Sequence, residues 1–116
     1  MKHVVAVLAL DHVVPFDLAT PCEVFGRARL RDGRPAYDVR VCGVKRTVDA
    51  GWFALRAPHD LAALARADTV ILPGIADVRA PIPRKALDAI RAAHRRGARV
   101  ASICSGAFVL AATAAP

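Results

Sequence analysis

Val100-Ala101-Ser102-Ile103-Cys104-Ser105-Gly106-Ala107-Phe108 is the stretch that decides the fold. A short apolar run reaches a cysteine and passes, with no loop between, into small and apolar residues that continue as a helix. A strand-to-helix turn this sharp pushes one side chain out of the backbone and needs small neighbours. Ser102 and Gly106, two positions before and after Cys104, supply them. The pattern predicts a strand over 99–103 and a helix over 106–114. The start of that helix presents free N–H groups and a partial positive charge that stabilise a thiolate, so Cys104 is the candidate nucleophile or redox sensor. A lone Cys at a strand end also suits an inert core position. The small flanking residues and the immediate helix favour the first reading.

Working outward from this turn, strands and helices alternate. Val4 to Leu10 is apolar, β-branched and bounded by Asp11 and Pro15, which predicts a strand buried on both faces at the centre of a parallel sheet. Asp17 to Leu30 has helical spacing, with Asp17 as the expected N-cap and Pro21 tolerated near the first turn. Tyr37 to Val44 reads as a strand, Val48 to Leu55 as a small hairpin around Ala50-Gly51, and Pro58 to Ala67 as a short helix. Thr69 to Leu72 is a compact strand ending in Pro73-Gly74, and Asp77 to Pro83 a loop. The next helix opens at Pro83 or Arg84, carries Leu87, Ile90 and His94 as its stripe, and ends at Gly97.

This order implies an α/β, flavodoxin-like three-layer sandwich with a mainly parallel sheet. In such sheets ligands bind outside the carboxyl ends of the strands. Asp11 to Asp17, Pro73 to Asp77 and Cys104-Ser105 are expected to converge there.

Composition narrows the function. A chain of 116 residues suits one domain with a real core, and 55% apolar content favours folding. The charge is +7, from 17 Lys and Arg against 10 Asp and Glu. The arginines are scattered, with little aromatic interleaving, so charged helix faces explain them better than direct nucleic-acid binding by this segment. Cys22, Cys42 and Cys104 are widely spaced and odd in number, which excludes a disulfide scaffold and a zinc site and fits a reducing cytoplasm. The apolar run after Met1-Lys2-His3 is too short for a signal peptide, and no stretch approaches the roughly 18 unbroken apolar residues of a membrane helix. A cytoplasmic chain without membrane contact is the expectation.

Ile103-Cys104-Ser105-Gly106-Ala107-Phe108-Val109-Leu110 resembles the nucleophile elbow of ThiJ/PfpI, class I glutamine amidotransferase-like domains, above all the amidase-like sensor domains of AraC-family transcription regulators. Phe16 to Phe25 is similar to the loop and first helix of that family, and Thr69 to Gly74 to its strand before an oxyanion-side turn. The resemblance implies that residues 1–116 form the N-terminal part of one such domain, since relatives continue for about half a domain more. It implies Cys104 as the reactive residue and Asp17 as its proton-holding neighbour, with oxyanion N–H donors on Ser105 and on the Gly74-Ile75 turn. Ile75 stands where relatives commonly carry a second glycine. Glu23 is expected to be structural or to support the site from behind. His3, His12, His59 and His94 lie outside the matched positions, His12 reading as a surface-loop residue, so no Cys-His pair is expected.

The implied function is a small-molecule-sensing regulatory domain of an AraC-type regulator whose DNA-binding part is absent. The same residues also permit a cysteine-dependent enzyme of isocyanide hydratase or amidase-like type, or an inactive truncated fragment. No cofactor or metal is expected. The expected partners are a small-molecule ligand and a second copy of the chain.

Overall fold

The structure, a computed structural model, describes residues 2–114; Met1, Ala115 and Pro116, part of the domain read over 1–116, lie outside the described residues. In chain order the elements are β1 (His3–Ala9), α1 (Pro15–Arg27), β2 (Tyr37–Gly43), β3 (Thr47–Asp49), β4 (Ala54–Arg56), α2 (Leu61–Ala65), β5 (Thr69–Leu72), α3 (Arg84–Arg95), β6 (Arg99–Ser102) and α4 (Gly106–Thr113). Four strands form a parallel sheet ordered β2-β1-β5-β6, while β3 and β4 pair antiparallel as a separate hairpin.

β1 is central, as its unbroken apolar run predicts, with β2 on one side and β5 on the other. The two-residue period of a strand sends Val5 and Val7 to one face and Ala6 and Leu8 to the other. Val5 and Val7 pack with Leu18 of α1, Val48 of the hairpin and Ile71. Ala6 and Leu8 pack with Leu64, Ile90 and Val109 from α2, α3 and α4. The result is the expected three layers. Each fully buried Val or Leu stabilises the fold by roughly 1.5–3 kcal/mol.

Tertiary contacts move several element ends. α1 begins at Pro15, with Val14 as N-cap and no side-chain cap bond, so Asp17 is a first-turn residue and not the cap. The cause lies in the chain before it: Val13 bridges to Ile75 and the Val14 N–H donates to the Gly74 carbonyl at 2.8 Å, holding the backbone extended. Pro15, lacking an N–H, then suits the first helical position. Pro21 is inside the helix and buried, beyond the first turn in which it was expected.

α2 starts three residues later than Pro58 because His59 is recruited by the sheet. Its N–H donates to Val41 and its carbonyl accepts from Gly43. Asp60 then caps α2, its carboxylate accepting from the Ala62 N–H at 3.0 Å. On α3 the buried stripe is Ala86, Ile90 and Ala93, and His94 is exposed, one position off the expected stripe. The helix closes as predicted around Gly97, at φ +103°: the Ala98 N–H reaches the Ala93 carbonyl and the Gly97 N–H the His94 carbonyl, both at 3.0 Å. That is a Schellman cap, which needs a residue free to take positive φ.

β6 is an edge strand, and α4 after it is apolar on nearly every side, with Phe108 56% exposed. A helix apolar all round is one that a larger core would bury.

Candidate functional site

The three segments expected at the carboxyl ends of the strands do converge. Residues 12–14 and 74–76 run antiparallel, tied by Val14 N–H to Gly74 O and Ala76 N–H to His12 O at 2.8 and 2.7 Å. β6 delivers Cys104 and Ser105 against them. Cys104 is exposed and takes φ +51°, a left-handed backbone that a non-glycine residue adopts at a cost of roughly 1–2 kcal/mol. The chain turns there at once into α4, whose first turn is closed by Gly106 N–H to Ile103 O and Ala107 N–H to Cys104 O.

Two glycines let these segments meet. A side chain on Gly106 would overlap the Leu72 carbonyl at the end of β5, so the helix can start against the strand only with no Cβ there. A side chain on Gly74 would overlap the Asp17 carboxylate, and the Ser105 Oγ lies 2.9 Å from the same point. Asp17, Gly74 and Ser105 therefore meet around one small space, next in sequence to Cys104.

Ser105 clasps the Gly74-Ile75 turn. The Ile75 N–H donates to Ser105 Oγ and the Ser105 hydroxyl donates to the Ile75 carbonyl, both at 2.8 Å. The Ile75 N–H proposed for oxyanion stabilisation is thus engaged within the protein. Among the described residues, the Gly74 and Ser105 N–H groups have no protein acceptor.

The other cysteines stand apart in chemistry. Burial pushes the Cys42 thiol up to about 11, and burial also raises that of half-buried Cys22, with Glu23 adding to it. Glu23 pairs with Arg27 on the exposed side of α1, as a structural residue would.

Sequence reasoning passed over a second cluster at the same end of the sheet. Asp11 accepts the Lys45 ammonium at 2.6 Å and the Asp49 N–H at 3.0 Å. The hydrogen bond from Lys45, then that from Asp49, hold its carboxyl below the usual range. His12 adopts φ +71°, and its N–H donates to the Asp49 carbonyl at 2.8 Å. No local signal marks these partners, which lie more than thirty positions apart. Among the described residues, no three His, Cys, Asp or Glu side chains gather to hold a metal, and no helix is long and apolar enough to cross a membrane.

No protein-family model matches the sequence, and no curated protein matches it. Solved structures do match. DJ-1beta from Drosophila melanogaster superposes with a TM-score of 0.77 at 21% identity, over 98% of this chain and 61% of that one. This chain has the DJ-1/ThiJ/PfpI fold. An AraC family transcriptional regulator from Pseudomonas putida matches with a TM-score of 0.67 at 20% identity, over 93% of this chain and 60% of that one. The DJ-1 superfamily protein Atu0886 from Agrobacterium tumefaciens matches at 0.72 and 16%, over 97% and 59%. The chain thus spans about 60% of the length of these three structures. Identities this low carry the fold and not the chemistry.

Proposed function

We propose that this chain is the N-terminal part of a small-molecule-sensing regulatory domain of the kind found in AraC-type regulators, acting in the cytoplasm as a homodimer. The observation that carries the reading is Cys104: exposed, held at positive φ just after β6, and next in sequence to Ser105, which meets Asp17 at the Gly74 turn. An exposed side chain on a sharp strand-to-helix turn supports reading Cys104 as the residue of a nucleophile elbow. A regulator of this kind among the solved structures of the same fold supports the role.

Clasping of the Ile75 N–H by Ser105 favours sensing over turnover. An oxyanion hole needs preorganised donors that are free to meet developing charge, and this one is spent on a side chain. The enzyme reading keeps one specific support, the unengaged Gly74 and Ser105 N–H groups near Asp17. In that reading Cys104 attacks an electrophilic carbon and Asp17 moves the proton.

The coding sequence beyond codon 116 discriminates. A helix-turn-helix coding region, in frame or shifted, is the expected finding, and its absence overturns the regulator reading. Turnover of a small isocyanide or amide by the parent chain, abolished in Cys104→Ala, would establish the enzyme instead.

A further inference from the structure

A polar-rimmed cleft at this end of the molecule does not contain Cys104. It has a volume of about 380 Å³ and lies between the end of β1, the β2–β3 connection and the Ala80–Pro83 loop. That volume suits a small organic molecule. Leu10, Val44, Val48, Ile75 and Ile82 form an apolar wall, and Asp11, His12 and Lys45 contribute the polar groups.

These polar groups are unequal in what they have left to offer. The Asp11 carboxylate already accepts two donors, from Lys45 and from Asp49. An ammonium carries three N–H donors, and Lys45 uses one of them, on Asp11. The His12 imidazole adds a further donor or acceptor, fixed at the rim by a backbone bonded to both Asp49 and Ala76. The cleft therefore keeps two unused N–H donors on the Lys45 ammonium with the His12 imidazole at its rim, in a chain of net charge +7.

We propose that this cleft binds a small aliphatic monocarboxylate, its carboxylate on Lys45 and His12 and its branched tail against Val44, Val48 and Ile82. A charge-assisted hydrogen bond to the ammonium orients the head group. Burial of the tail supplies affinity at roughly 25 cal/mol per Å² of apolar surface covered. The proposal goes beyond the role given to Cys104 and does not depend on it. The two places share one residue: Ile75 lines the cleft while Ser105 holds its N–H and carbonyl.

The test uses 4-methylpentanoate as probe, followed by amide and methyl NMR of the full chain at neutral pH, with 4-methylpentanamide and isopentylamine as matched comparisons. Saturable shifts centred on His12, Lys45, Val48 and Ile82 are expected for the carboxylate. The amide should bind about tenfold more weakly, for want of the charge-assisted bond, and the amine not measurably. Lys45→Met should lose a similar factor and Lys45→Arg retain most of the affinity. Ala80→Phe, which fills the cleft from its loop wall, should abolish binding, whereas Cys104→Ala leaves it unchanged. Equal binding of acid and amide, shifts centred on Asp17 and Cys104, or no saturable shift at millimolar probe would each overturn the proposal. Because Cys104→Ala is silent here, failure of this site and failure of the regulator reading are read separately.

Discussion

Three cysteines in one chain meet three different environments, and their reactivity should divide accordingly. Cys104 is exposed; Cys42 is buried in β2 with its thiol pushed up to about 11. Iodoacetamide near pH 8 is expected to alkylate Cys104 in the folded chain and leave Cys42 untouched, since the thiolate is the nucleophile and burial suppresses it. Peptide mass spectrometry checks the order, and preferential labelling of Cys42 would contradict it. Gly74 offers a second residue-level test. Its added methyl in Gly74→Ala meets the ends of two side chains, Asp17 and Ser105, which can move aside. Stability should fall by only about 1 kcal/mol, while the labelling rate of Cys104 changes because its neighbours shift.

At the scale of the element, the meeting of α4 with β5 should be far less forgiving. The methyl of Gly106→Ala would press on the Leu72 carbonyl, part of a backbone locked in the sheet. Overpacking of this kind costs about 1–3 kcal/mol or more, so urea unfolding should show a clear loss beside the mild effect at Gly74. If the two variants lose the same stability, the close approach of helix and strand is wrong. α3 was legible from its own residues, down to Gly97 as the capping position. α2 was legible in existence but not in extent, because His59 is taken by β2 through contacts that local spacing does not encode. The N-cap assigned to Asp17 failed for a similar reason: the bridge from Val13 to Ile75 sets where α1 can begin.

Across the whole molecule, carboxylates in ion pairs contribute to the acid limb of stability. Asp11 and Asp38 both have lowered folded values, through hydrogen bonds from Lys45 and Arg40 respectively. A carboxyl whose folded value lies below its unfolded one contributes stability that is present above the unfolded value, about 4, and lost as pH falls through the folded value. Both pairs are partly exposed, so the contribution of each is small. Urea midpoints should drop below about pH 4, and Asp11→Asn should make that drop shallower; an unchanged drop would remove the Asp11–Lys45 tether from the account. The β6 edge, unpaired among the described residues, and the exposed Phe108 of α4 predict concentration-dependent self-association of this chain. Sedimentation velocity should show it, weakened in Ala101→Lys on the edge strand, and a monomer at all concentrations would refute it.

The sequence by itself determined the alternation of elements, the central place of β1, the turn at Cys104 and the end of α3, because each rests on period, size or backbone freedom within a few residues. The meeting of Asp17, Gly74 and Ser105 was inferred from where parallel strands end, and the structure assembles it. Only the tertiary structure decided that the Ile75 N–H would be spent on Ser105, thirty positions away, and that Lys45 and Asp11 would rim a cleft. Those pairings depend on which strands lie side by side and how far each loop reaches. Cys104 was therefore recognisable from its neighbours in the chain, whereas the groups around it follow from neighbours in space.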